Sequence, residues 1–131
     1  IPVATRQGLA KSRIIEPHWS AIVAATDDLD AAYVYCRGGD AADTHYRARM
    51  YAPTGGIAED PATGSATVQM AAQLLKAEQL ADGTHRWRFE QGYEMGRPSD
   101  LWLEADVAAG ALAEVRLSGS AVQVMKGEIN L

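Results

Sequence analysis

The sequence predicts a single α+β domain, a largely antiparallel or mixed sheet wrapped around one central helix, and three observations carry that prediction. Residues 61–80 repeat their apolar side chains at helical spacing, strand-like segments recur at short intervals on either side, and 131 residues suffice for one core but not two. The domain is expected to span residues 1–131.

Taken in order, residues 1–5 read as a strand at the N-terminus. Residues 17–25 place Trp19, Ile22, Val23 and Ala25 at the spacing of a short amphipathic helix, with Glu16 and Pro17 marking its start. Asp27-Asp28 and Gly38-Gly39 bracket residues 31–37, whose β-branched and aromatic content suits a strand. Tyr46, Ala48 and Met50 alternate with Arg47, Arg49 and Tyr51 in a second strand, after which residues 52–56 break regular structure. In the long helix Ala66, Met70, Leu74 and Val68, Ala71, Leu75 recur at helical spacing. Its polar residues Ser65, Gln69, Gln73 and Lys76 form only a narrow stripe, so cover on most sides is expected. Asp82-Gly83 should stop the helix, because glycine tolerates the left-handed conformation that ends many helices. Residues 87–91, 101–107, 114–117 and 121–125 then read as strands in antiparallel hairpins, the last two joined at Ser118-Gly119-Ser120.

Composition excludes several partners. Hydrophobic residues make up 47% and charged residues 22%, the range of folded soluble chains. Twelve lysines and arginines face 17 aspartates and glutamates, and the arginines form no basic stripe, which argues against nucleic acid. No apolar stretch reaches the about 20 residues needed to cross a bilayer, and no signal-peptide order opens the chain, so a cytoplasmic protein without a membrane partner is expected. The chain opens on Ile1, consistent with processing or with sequence that came before. Cys36 sits alone in an apolar run and reads as a buried strand residue. His18, His45 and His85 lie in three segments without metal-ligand spacing, so no metal site is expected. Ser65 has no GxSxG frame, and no glycine-rich nucleotide loop is present.

Chemistry concentrates at the start of the long helix. Pro61 suits the first helical position, which puts Asp60 at the N-cap. Thr63, Gly64 and Ser65 then present amides in the first turn, where unpaired donors and the helix dipole attract an anion such as a carboxylate. Glu59 and Asp60 are adjacent carboxylates, either of which suits acid or base work if its surroundings tune it. Gly64 costs about 1 kcal/mol relative to alanine, which close approach of a ligand would explain. Residues 91–99 form a second cluster in which Gly92 and Gly96 make a tight loop and Arg97 is a candidate partner for a carboxylate. An ordinary capped helix and an ordinary strand connection fit the same residues.

The stretch Arg49-Met50-Tyr51-Ala52-Pro53, then Gly56-Ile57-Ala58-Glu59-Asp60-Pro61-Ala62-Thr63-Gly64-Ser65-Ala66, then Gln91-Gly92 and Met95-Gly96-Arg97-Pro98-Ser99, resembles the C-terminal half of the phenazine-biosynthesis PhzF-like family. Residues 117–124 with Gly127 are similar to that family's final hairpin. The resemblance implies one half of a diaminopimelate-epimerase-like fold, in which two similar domains each wrap a sheet around a helix and the active site lies between them. It further implies isomerisation of a small carboxylate-bearing substrate by proton transfer without a cofactor. Asp60 matches an active-site acidic residue, and Gly64 and Ser65 match positions that hold substrate. The family's principal glutamate and its Gly-His-Ala-Thr motif belong to the other domain, which these residues do not contain. Cys36 does not stand where related epimerases carry a thiol. Two readings follow: half of an isomerase that needs a second domain or subunit for activity, or a non-catalytic stand-alone small-anion-binding or relic domain that homodimerises.

Overall fold

The structure, a computed structural model, describes residues 1–26 and 30–129. The Asp27-Asp28 pair therefore lies outside the described residues. Two short helices, α1 (Arg6–Lys11) and α2 (His18–Ala25), precede strands β1 (Ala32–Arg37) and β2 (Tyr46–Ala52). A single 3-10 turn, Pro53–Gly55, leads into β3 (Ile57–Asp60), then helix α3 (Gly64–Glu78) and strands β4 (Gly83–Gln91), β5 (Ser99–Ala108) and β6 (Ala111–Gly119). The mixed α/β architecture agrees with the fold class expected from the sequence.

The sheet runs β1-β2-β4-β5-β6. All its pairings are antiparallel except β2 with β4. One edge of β2 is shared between two partners: Tyr46, Arg47 and Ala48 pair with β4, and further along Met50 and Ala52 pair with β3. That splice sets Gln91, the last residue of β4, opposite Ala48 and Asp60, the last residue of β3, opposite Met50. Two strand ends distant in sequence thus meet beside the start of α3.

Helix α3 lies on one face of the sheet. Met70, Ala71 and Leu74 pack with Tyr46, Trp87, Phe89 and Leu103 into the main core. Burying side chains of this size contributes about 1.5–3 kcal/mol each, which holds helix and sheet together. On the opposite face of β1 and β2, Leu9 of α1 packs with Val34, Cys36 and Tyr51, so Cys36 is the buried strand residue expected. The far side of α3, with Val68, Gln69, Ala72, Gln73 and Lys76, is exposed, so the cover on most sides expected from its composition is not supplied by the described residues.

Four local expectations change. The N-terminal strand is a single bridge, Pro2 to Tyr35, followed by α1, whose Thr5 side chain accepts from the Gly8 amide. The helix begins at Gly64 with Thr63 as N-cap, because pairing with Met50 holds Asp60 extended and neither Asp60 nor Pro61 can enter the helix. Gln79, in the left-handed conformation, ends α3, while Gly83 opens β4 and Asp82 accepts from the amides of Ala109 and Gly110. Those two residues, with φ of 52° and 73°, form the β5–β6 turn. As a result β6 runs on through Ser118 and Gly119, and the strand expected at residues 121–125 is absent: residues 120–129 have no regular structure, and Val122, Val124 and Met125 are exposed.

Candidate functional site

The end of β3 and the start of α3 border a recess of about 510 Å³, with Tyr33, Met50, Asp60, Thr63, Ser65 and Gln69 among its walls. Asp60 is half-buried, and its Oδ2 accepts from the Thr63 hydroxyl at 2.5 Å. Among the described residues no donor meets its Oδ1. The amides of Gly64, Ser65 and Ala66 likewise meet no acceptor among the described residues, as expected of the first turn of a helix. Asp60, Ser65 and Ala66 therefore border one recess, an acidic side chain beside the first-turn amides of a helix, where donors and the helix dipole favour an anion.

The sequence reading missed the side chain that organises this end. Gln91 is fully buried at the foot of β4. Its Nε2 lies 2.8 Å from the Asp60 carbonyl oxygen and 2.9 Å from Thr63 Oγ1, and its Oε1 lies 3.2 Å from the Thr63 amide and 3.4 Å from the Tyr33 hydroxyl. The Tyr33 hydroxyl also meets Thr67 Oγ1 at 3.0 Å, and Thr67 donates to the Thr63 carbonyl at 2.9 Å. Burial pushes the Tyr33 phenol up to about 12, so it stays protonated. Gln91 ends β4 just before the Gly92 turn, yet only the β2 splice shows what its side chain reaches.

The remaining candidates divide. Ser65 and Gly64 lie at the helix start, Ser65 on the recess wall. Packing also bears on Gly64: a Cβ there would stand 2.8 Å from Leu117 Cδ2, the movable end of a β6 side chain. Thr63 was expected to touch substrate, but both its amide and its hydroxyl are engaged, by Gln91 and Asp60. Glu59 and Asp60 do not act as a pair, since neighbouring strand residues face opposite ways. Arg49 holds Glu59 through two contacts of 2.8 Å while also donating to the carbonyls of Leu9, Ala10 and Ser12. Gly92, at φ 78°, is a structural turn: a Cβ would meet the Arg97 carbonyl at 2.3 Å and the Pro61 carbonyl at 2.8 Å. Arg97 is exposed and lines a separate recess of about 580 Å³ with Pro61, Ala62 and Val122. A recess of about 630 Å³ beside Trp102 lies along Arg86, Glu104 and Arg116, whose charges pair with one another.

Beside Gln91, Glu90 is also fully buried but points to the 38–44 loop. It accepts from the amides of Asp40 and Ala41 at 2.8 and 2.9 Å, from Thr44 at 2.6 Å and from Arg47 at 2.7 Å. Burial alone would raise its carboxyl, but the Ala41 amide, Thr44, the Asp40 amide and Arg47 together hold it down at about 2. No described helix is long and apolar enough to cross a membrane, and no group of three His, Cys, Asp or Glu among the described residues is placed to hold a metal.

Comparison with known proteins bears on this geometry. The family described as phenazine biosynthesis-like protein matches residues 9–127. An uncharacterized isomerase of Mesorhizobium japonicum is 37% identical over 98% of this chain and 43% of its own length. The trans-2,3-dihydro-3-hydroxyanthranilate isomerase of Pseudomonas aeruginosa is 36% identical over 79% of this chain and 36% of its own length. Among solved structures, a predicted epimerase from P. aeruginosa is 28% identical with a TM-score of 0.52, covering 96% of this chain and 42% of that one. A PhzF-family phenazine biosynthesis protein of Bacillus anthracis, 19% identical with a TM-score of 0.55 over 70% of this chain and 35% of that one, shares the fold. The chain thus spans less than half the length of these relatives.

Proposed function

Because the chain belongs to the phenazine biosynthesis-like family, we propose that it is the C-terminal half of an isomerase that moves a proton on a small carboxylate-bearing metabolite and needs a second half for turnover. The observation that carries this reading is that Asp60, whose Oδ1 meets no donor among the described residues, lines the same recess as Ser65 and Ala66, whose amides meet no acceptor there. The amides of the first helical turn would hold the substrate carboxylate, and Asp60 would assist the proton transfer. Its relatives include isomerases that act as longer chains, which fits a cleft closed by another domain or subunit.

The test supplies the missing half as a second polypeptide carrying the glutamate and the Gly-His-Ala-Thr motif that the family resemblance places there. Proton exchange is then followed on a panel of small carboxylates that includes trans-2,3-dihydro-3-hydroxyanthranilate. Turnover that falls about 10²–10⁴-fold in Asp60→Asn, with folding intact, supports the assignment. Unchanged turnover removes Asp60 from the mechanism. A second reading, a stand-alone anion-binding domain closed by another copy of itself, draws on the exposed Val68 on α3 and on Val122, Val124 and Met125 of the tail. Sedimentation showing a dimer that binds small carboxylates, with no turnover after complementation, would favour it.

A further inference from the structure

We infer that Gln91 and Thr63 form a hydrogen-bond chain of fixed direction that makes Asp60 Oδ2 a standing acceptor and leaves Oδ1 to meet the substrate. This deepens the reading of Asp60 given above and rests on it.

The direction follows from groups whose roles cannot change. The Thr63 main-chain amide can only donate, so the Gln91 atom facing it is the carbonyl Oε1. The Asp60 main-chain carbonyl can only accept, so the Gln91 atom facing it is Nε2. Two backbone groups therefore settle how the amide is turned. The second hydrogen on Nε2 then points to Thr63 Oγ1, which accepts it. A threonine hydroxyl carries one proton, and Oγ1 already receives from Gln91, so that proton is delivered to Asp60 Oδ2 at 2.5 Å.

The rest of the network agrees. Thr67 gives its hydroxyl proton to the Thr63 carbonyl, so Tyr33 is the donor in its 3.0 Å contact with Thr67, and its single proton is shared with Gln91 Oε1 at 3.4 Å. Every proton near Gln91 then has an assigned acceptor, and Gln91 itself is sealed from water. For Asp60 the consequence is chemical. Protonating Oδ2 would leave the Thr63 hydroxyl proton without an acceptor, so Asp60 meets the substrate through Oδ1, beside the glutamate that the family resemblance places in the other half. Gln91 and Thr63 touch no substrate in this scheme and are positioning residues.

The experiment has two arms. In the first, nuclear magnetic resonance of the 15N-labelled chain reads the Gln91 side-chain amide without any turnover. Both of its protons should be protected from exchange, and Thr63→Val should speed exchange of one of them by about 10-fold or more, whereas Thr63→Ser should protect both. An amide pair that exchanges like a free glutamine, or a Thr63→Val spectrum identical to the parent, would overturn the inference. In the second arm, the complemented protein should lose about 10–100-fold in kcat in Thr63→Val, with KM changed less than about 3-fold, the scale of lost orientation at a reacting group. Thr63→Ser should recover most of that loss. Gln91→Glu, which keeps the shape but removes both donors, should match Thr63→Val if it folds. A folded Thr63→Val variant with unchanged kcat sinks the inference alone, whereas unchanged kcat in Asp60→Asn sinks the functional reading beneath it.

Discussion

Glu90 and Gln91 are neighbours at the end of β4, both fully buried, yet they organise two carboxylate sites of opposite character. On one face Glu90 is saturated: two main-chain amides, a hydroxyl and a guanidinium occupy its oxygens. On the other face Gln91 fastens the loop around Asp60 while leaving one carboxylate oxygen without a donor. The saturated site is a strut for the 38–44 loop. The unsaturated one borders a recess. A buried charge whose every lone pair is met has no remaining chemistry, and a half-met one at a recess wall has some.

The sharpest way to break this comparison is Glu90→Gln. Arg47 keeps Asp40 and Glu94 as partners, but a neutral amide cannot accept from all four buried donors around Glu90, and a loss of about 1–3 kcal/mol or more is expected in urea unfolding. A loss below about 1 kcal/mol would make Glu90 no strut at all. Acid titration asks the same question without mutation. The folded carboxyl, at about 2, lies below its ordinary 4.5, so Glu90 contributes stability that is fully present above pH 4.5 and is lost as pH falls from there toward 2. Parent stability should therefore drop over that window, and Glu90→Gln should show a flatter profile.

Gly92→Ala comes next. The positive φ and the contact a Cβ would make with the Pro61 carbonyl predict a cost of about 1–3 kcal/mol, together with shifted resonances at Asp60 and Thr63. Gly64→Ala is smaller: the shift it asks of Leu117 offsets the gain in helix propensity of about 1 kcal/mol, so thermal unfolding should show no gain in stability. An increase in stability would return Gly64 to the role of a residue kept small for a ligand. Asp60→Asn should change stability least, by less than about 0.5 kcal/mol, and a larger loss would make Asp60 structural like Glu90.

Much of this was legible in the chain. The helical period that runs on to Leu80, the alternation in β2 and the strand-like runs of β1, β4 and β5 each follow from local side-chain spacing, which is what a helix or strand must satisfy whatever surrounds it. The stretch Asp60-Pro61-Ala62-Thr63-Gly64-Ser65 pointed to the recess for the same reason, since cap residues and small residues act on their own backbone. The strand β3 was not read from the sequence because Ile57-Ala58-Glu59-Asp60 shows no alternation of apolar and polar residues, and the β5–β6 turn was missed because Ala109 is an unusual residue for a positive φ.

What the sequence by itself determined, then, is which segments can be helix or strand and where an acidic residue meets a set of unpaired amides. What only the tertiary structure decided is which polar groups satisfy one another. The split edge of β2 brings Gln91 to Asp60, turns Glu59 away to Arg49 and ties Thr63 to Gln91 and Asp60. Hydrogen bonds between residues some 30 positions apart leave no periodic trace in a chain, because they depend on strand order and register, and these exist only once the sheet has formed.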